Sequence, residues 1–253
     1  MKINYISVSR LQTYQTCAQQ YKYKYHLEMA SLVEEPIYFA YGSIIHKIAE
    51  EYITNKGEIP INEIANDVLS GKIDLGDGKK VPKLPTEYKN KIPEHIRAIK
   101  KISDQMGYEG FTEYEFLIDL DPPNNVMVKG FIDRLIQKDD KFWILDYKTT
   151  KKGMFRKNAK TISGDLQLRT YARVIQKEFG AKAENIKTGL YYLEGAELIG
   201  ACFTEQSLEN VEKELIKYHS EIKNADPNNI FGNVGQHCTR CDFRSVCPFY
   251  SVT

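Results

Sequence analysis

Asp146 and Lys148 stand two residues apart in ILDYKTT (144–150), a stretch that otherwise reads as a buried strand. Alternate residues of a strand face the same side, so a carboxylate and an ammonium share one face. Burying charge is costly unless it is paired or binds metal. A second acid, Asp133, sits in VMVKGFIDRLIQ (126–137), which a tight turn at KDDK joins to the strand 142–149. Antiparallel neighbours lie about 5 Å apart, so Asp133 and Asp146 can share a divalent ion. Two hard oxygen ligands plus waters suit magnesium or manganese. Lys148 beside them can orient a water nucleophile or stabilise charge growing on phosphorus. His46, reaching in from the helix before the sheet, adds a nitrogen ligand that tilts the preference toward manganese. Gln167 and Tyr171, at i and i+4 on a later helix, can touch a scissile phosphate or hold Lys148 in place. Each also has a plainer reading: Asp146 and Lys148 as a structural ion pair, His46 as a satisfied histidine, Gln167 and Tyr171 as helix surface.

Three of the five cysteines crowd the carboxyl end as Cys238-x2-Cys241-x5-Cys247. Cys17 lies far upstream, and Cys202 sits in an apolar stretch where it reads as a small buried hydrophobe. Clustered cysteines in a cytosolic chain point to metal rather than disulfides. The Cys238-x2-Cys241 opening suits zinc, with His237 able to substitute as a ligand. Pro248 directly after the last cysteine is common in iron–sulfur motifs.

The elements that must position these residues follow from periodicity. Residues 7–27 predict a helix capped by Ser7 or Ser9, with Leu11, Tyr14, Ala18 and Tyr21 on one face. Within 36–55 a second helix begins near Tyr41 and ends before Gly57. Its apolar stripe is Ile44, Ile45, Ile48, Ala49 and Tyr52, with His46 one residue off it. Helices are expected at 60–70 and 87–106, separated by a Gly-, Lys- and Pro-rich loop at 71–86. Strands at 112–120, 126–137 and 142–149 form an antiparallel meander. A helix at 167–179, two strands within 187–204 and a long helix at 207–224 capped by Ser207 complete the pattern. The order predicts an α/β domain with a central sheet flanked by helices.

Bulk properties set the outer limits. The chain has 253 residues, 42% hydrophobic and 27% charged, enough for one large domain with a sizeable core. No apolar run approaches the about 20 residues that span a bilayer, and MKINYISVSR lacks a signal-peptide segment. A cytoplasmic protein is expected. The net charge of +1 gives no argument for nucleic acid. The run KTTKKGMFRKNAK (148–160) does, holding Lys and Arg without an acid directly after the Asp-Tyr-Lys strand. The lysine–tyrosine alternation at 21–27 is a weaker signal of base stacking.

SRLQTYQTC, GSIIH, GFIDR, ILDYKTT, QLRTYA and CTRCDFRSVCP occur in this order across nearly the whole chain. Together they resemble the PD-(D/E)XK nuclease superfamily in its RecB-like branch, which includes AddB-type nuclease domains and CRISPR-associated adaptation nucleases with an iron–sulfur cluster. The resemblance implies a restriction-endonuclease-like central mixed β-sheet flanked by helices, in a single domain over 1–253. Residues 1–35 and 225–253 would form the cluster-binding part and 56–106 a helical and loop insertion. It implies Asp133 and Asp146 as metal ligands, completed by His46 and the Tyr147 carbonyl. Lys148 would be the catalytic lysine, and Gln167 and Tyr171 the motif that follows. Cys17 would join Cys238, Cys241 and Cys247 around a structural 4Fe-4S cluster that staples the chain's ends, with zinc as the alternative. The proline of the family's name is absent, because Ile132 precedes Asp133. Glu113 or Glu115 would match an upstream acidic position, a choice the sequence leaves open. The implied activity is a magnesium- or manganese-dependent DNA nuclease acting on single strands or ends in recombination, repair or CRISPR adaptation. With no G-x-x-x-x-G-K-[ST] phosphate loop, a helicase, recombination or CRISPR adaptation partner would supply ends. The rival is a nuclease-fold protein that binds DNA or partners without cutting, against which the complete Asp-Asp-Lys set argues.

Overall fold

The computed structural model describes residues 1–76, 78–153 and 156–250. Residue 77 of the expected 71–86 loop, residues 154 and 155 of the basic run, and 251–253 of the cysteine-rich tail lie outside the described residues. The chain divides into two compact units, residues 1–35, 115–130 and 206–253, and residues 36–114 and 131–205.

The first unit opens with helix α1 (Val8–Thr16), where Ser7 Oγ accepts a hydrogen bond from the Arg10 amide at 3.2 Å. The helix expected through residue 27 is interrupted. Cys17 adopts an extended conformation (φ −162°, ψ 112°), α2 (Ala18–Tyr21) restarts after it, and a wide turn spans Lys22–His26. Leaving the helical path buries Cys17, which a continuous helix with Leu11 and Tyr21 inward does not require. The unit ends with α8 (Glu205–Asn224) and the cysteine-rich tail. Helix α8 begins two residues before Ser207, which therefore lies in its first turn rather than at its cap. The terminal amine of Met1 donates to the Ile222 and Ala225 carbonyls at 2.9 and 2.8 Å, closing the start of the chain onto the end of α8.

In the second unit α3 (Ile37–Thr54) starts four residues earlier than the apolar stripe suggests. Pro36 presets the backbone at φ −57°, while the exposed Tyr38 and Phe39 of the first turn hide the start from a burial-based reading. Helix α4 (Ile61–Leu69) follows. The helix expected at 87–106 is two: α5 (Thr86–Lys89) and α6 (Ile92–Met106). Pro93 has no amide to donate, so it is tolerated only in a first turn, and the helix restarts there. The inward faces of α3, α4 and α6, including Ile45, Ile48, Ile64, Ile96 and Ile99, pack with Leu145, Tyr147 and Tyr191 in one core. Truncating Ile99, which is fully buried, would cost about 2–5 kcal/mol.

Strands β1 (Phe111–Asp119), β2 (Met127–Lys138), β3 (Lys141–Lys148), β4 (Ile186–Tyr192) and β5 (Glu197–Cys202) form one sheet in sequence order. β2 and β3 are antiparallel with Arg134 opposite Leu145, and β4 and β5 are antiparallel with Gly189 opposite Gly200. β3 and β4 are parallel, Asp146 beside Leu190, which requires the crossover helix α7 (Leu166–Phe179) between them. Asp165 caps α7 by accepting from the Leu168 amide at 3.0 Å, and Gly180 ends it at φ +63°. The sheet is therefore mixed and flanked by helices, as the resemblance implies. Because β5 is an edge strand, Cys202 is exposed, which corrects its reading as a buried hydrophobe. No helix among the described residues is long and apolar enough to cross a membrane.

Candidate active site and metal centre

The β2–β3 register, continued one step beyond Arg134↔Leu145, sets Asp133 opposite Asp146. Asp133 Oδ2 accepts the Tyr147 amide at 2.6 Å, which ties the acid to the end of β3. His46 enters from α3, just off its buried stripe, with Nε2 3.0 Å from the Tyr147 carbonyl and Nδ1 3.5 Å from Asp133 Oδ2. Glu113 Oε1 lies 4.0 Å from the same Nδ1. His46, Glu113 and Asp133 present ligand atoms all within 4.8 Å of one another. This group could hold a metal ion.

Sequence left Glu113 and Glu115 undecided, and the structure separates them. Glu115 is exposed and pairs with Lys129 at 2.7 Å, whereas Glu113 turns into the site. It does so at φ +47°, a left-handed conformation inside a strand, which marks a bulge. That conformation costs a non-glycine residue about 1–2 kcal/mol, and such costs concentrate where a side chain must be aimed. The strand's approach is set by Arg134 and Gly110. Arg134 is buried and donates to the Gly107 carbonyl at 2.5 Å and that of Glu109 at 3.2 Å. Gly110, at φ +103°, has no room for a Cβ against the Leu135 carbonyl. Glu113's two-residue offset from Glu115 gave both the same strand face, so no periodicity could choose between them.

On the β3 side Asp146 does not join that group directly. Its Oδ2 lies 2.6 Å from Lys148 Nζ, and Asp146 is 2% exposed. Lys148 Nζ also donates to Gln167 Oε1 at 3.0 Å, and Gln167 Nε2 donates to the Tyr171 hydroxyl at 2.7 Å. The i, i+4 pair on α7 thus holds the lysine, one of the two roles its spacing allows. The residues expected from sequence form one continuous chain of contacts, Asp146–Lys148–Gln167–Tyr171, beside the His46–Glu113–Asp133 group.

The charges explain the fit to a cation. Burial, then the Asp133 charge, push Asp146 up to about 6 despite Lys148. Burial, then Asp133, push Glu113 up to about 7 despite His46. Burial works against the His46 imidazolium, but Asp133, Asp146 and Glu113 outweigh it and raise it to about 9. Burial also works against the Asp133 carboxylate, yet His46 and the Tyr147 amide hold it below its ordinary range. Burial and the mutual proximity of Asp133, Asp146 and Glu113 disfavour their carboxylates, and the His46 imidazolium would give up its proton to ligate an ion. Hard oxygens with one imidazole are a donor set for a divalent ion.

The basic run after β3 is partly committed internally. Arg156 donates to the Thr150 carbonyl at 2.7 Å and pairs with Glu194 at 3.2 Å, and Lys151 pairs with Glu87 at 2.5 Å. Arg156, with a side chain 7% exposed, serves the fold rather than standing open to phosphate, whereas Lys151 stays 63% exposed.

In the first unit Cys17, Cys238, Cys241 and Cys247 line one small cavity with His237 and Tyr23. Among the described residues no three of these sulfurs fall within 4.8 Å of one another. All five cysteines are free thiols. Burial pushes the Cys241 thiol up, as does the proximity of Cys17 and Cys247. Asn233 donates to the Thr16 carbonyl at 2.9 Å, and Tyr23 packs at a tilt against the buried Phe243, ring centroids 5.4 Å apart. These contacts hold the tail against the Cys17 turn. His237 Nε2 is buried without a hydrogen-bond partner among the described residues, so a nitrogen donor also faces this cavity.

Residues 5–248 match the sequence model of the PD-(D/E)XK nuclease superfamily, and the chain belongs to that family. Among solved structures it is similar to a candidate exonuclease from Eubacterium rectale, at 13% identity and a TM-score of 0.56, over 96% of this chain and 89% of that one. At that identity the likeness speaks to the fold alone. A second structure, SSO0001, aligns over 92% of this chain and 95% of that one at 15% identity, with a TM-score of 0.39 that carries no argument. No curated protein matches the sequence.

Proposed function

We propose that this chain is a divalent-metal-dependent DNA nuclease, an exonuclease on single-stranded DNA or DNA ends that serves recombination, repair or CRISPR adaptation. The observation that carries the reading is the convergence of His46, Glu113 and Asp133 beside the Asp146–Lys148–Gln167 chain. His46, Glu113, Asp133 and the Tyr147 carbonyl would hold magnesium or manganese, with Asp146 adding charge from the neighbouring strand. When bound, the ion supplies Lewis-acid stabilisation of the phosphoryl oxygens and a more acidic water. Lys148 is raised above its ordinary range because Asp146 and Asp133 outweigh the effect of burial, so it stays charged. Its ammonium faces the place where negative charge develops on phosphorus, and Gln167 and Asp146 fix it there before substrate arrives. Tyr171 orients the Gln167 amide so that its oxygen meets the lysine.

The four cysteines would carry a 4Fe-4S cluster, with residues 1–35 and 225–253 as its binding part and 56–106 as an insertion in a single nuclease domain. The four sulfurs line one cavity, and a tetrahedral zinc site is the alternative occupant. DNA is the expected substrate, and a helicase, recombination or CRISPR adaptation complex the expected partner.

The test is digestion of end-labelled single-stranded DNA, free or blocked at its ends, with magnesium, manganese or calcium. Wild-type protein should release short products only from free ends, and only with magnesium or manganese. Asp146→Ala and Lys148→Ala should each lose at least about 100-fold in rate while keeping DNA affinity. Binding without any cutting by wild type would favour the non-catalytic scaffold instead.

A further inference from the structure

The cleft that holds His46 and Glu113 also contains Phe131, Ser43 and Lys79, in a cavity of about 660 Å³. Phe131 is 45% exposed, although Ile132 beside it is fully buried. Exposed apolar rings are common on protein surfaces and need no explanation. Phe131 differs in its position. It lies two residues before Asp133 on β2, so both side chains share a face about 6.6 Å apart along the strand. That is about the distance from a nucleotide's phosphate to its own base. A phosphate placed at the His46–Glu113–Asp133 group therefore brings a base over the Phe131 ring, and a base is free to reach it only when unpaired.

The neighbouring face of α3 agrees. Residues 39, 43 and 46 follow one face of α3 at helical spacing, leading from His46 past Ser43 to Phe39. Phe39 is 56% exposed, and its ring lies 4.5 Å from that of Tyr38. This aromatic pair stands about 10 Å N-terminal of His46 along the helix. Phe39 lies outside the cavity that Phe131 and Lys79 line, and exposed rings at such spacing beside a lysine suit successive bases without regard to sequence.

We infer that Phe131 is a positioning residue that stacks the unpaired base next to the bound phosphate, which makes the cleft selective for single strands. The inference rests on the nuclease reading for where the phosphate sits. The test reads binding rather than cutting. Anisotropy with calcium compares an oligothymidine with an abasic strand of the same length and charge. Wild-type protein should prefer the strand with bases, and Phe131→Ala should reduce that preference about 5- to 100-fold without changing affinity for the abasic strand. Phe131→Leu, which keeps an apolar side chain on the strand, should lose the preference likewise, and Phe131→Trp should restore it. An unchanged preference in the Ala and Leu variants, or no preference in wild type, overturns the inference. Wild type that discriminates yet never cuts with magnesium or manganese leaves the stacking supported and removes the nuclease reading alone.

Discussion

Removing the amide of Gln167 tests whether the α7 residues act through the lysine or on the substrate. Lys148 Nζ has two protein partners in this chain of contacts, Asp146 at 2.6 Å and Gln167 at 3.0 Å. Gln167→Ala takes away the second and leaves the ion pair. A hydrogen bond to a charged group is worth about 1.5–3 kcal/mol. Because Asp146 still restrains the ammonium, the lower end applies, and kcat should fall about 10- to 30-fold with KM unchanged. Tyr171→Phe acts one bond further away through a neutral contact at 2.7 Å, so about 2- to 5-fold is expected. The assay is single-turnover cleavage of a labelled single strand at saturating protein, run as a double-mutant cycle with Lys148→Ala. If Gln167 works by holding the lysine, adding its mutation to Lys148→Ala should cost less than about twofold, since there is nothing left to hold. The full loss appearing in the Lys148→Ala background would refute the positioning role, as would no loss in the single mutant.

Three further outcomes follow from the geometry. Glu113→Gly should stop cleavage while leaving stability equal or up to about 1 kcal/mol higher, because glycine relieves the φ +47° backbone; Glu115→Gln should change neither, and a drop in unfolding midpoint for Glu113→Gly would contradict the strain. Protein purified without oxygen should be brown with about four irons, and Cys17→Ser should lose metal as fully as Cys247→Ser while Cys202→Ser keeps it; a colourless protein with one zinc would replace the cluster, and full metal in Cys17→Ser would make His237 the fourth ligand to examine. His95 is fully buried and accepts from or donates to the Tyr41 hydroxyl at 2.9 Å, and burial lowers it to about 4, only partly opposed by Glu94. The unfolded chain then takes up a proton near pH 6.5 that the folded chain refuses, so stability is full above that pH and falls as pH drops toward 4, by about 2 kcal/mol at pH 5; denaturant titrations should show that part of the pH dependence vanish in His95→Gln, and an unchanged pH dependence in that variant would show that His95 does not carry it.

Much of the candidate site's arrangement was legible because it is written in short-range periodicity. The alternation in 144–148 sends Leu145 and Tyr147 to the helix-packed core and leaves Asp146 and Lys148 together on the other face. The tight turn after β2 fixes the register, and the register puts Asp133 across from Asp146. The i, i+4 spacing on α7 already joined Gln167 to Tyr171. Each of these relations spans few residues and depends only on the geometry of a strand, a hairpin or a helix turn.

What the tertiary structure alone decided involves choices between positions that are locally equivalent. Glu113 and Glu115 share a strand face, and only the bulge at φ +47° and the Lys129 pairing tell them apart. Arg156 looks as open to phosphate as its neighbours until Glu194 and the Thr150 carbonyl enclose it. Cys202 has the apolar flanks of a core residue, yet the order β1-β2-β3-β4-β5 leaves its strand at an edge and the thiol exposed. The break at Cys17 carries no propensity signal, because its burial is set by a tail more than two hundred residues later, which Asn233 ties back to Thr16. Local sequence sets which face a side chain takes. Which partner that face meets depends on contacts between distant segments, and those have no short-range pattern to read.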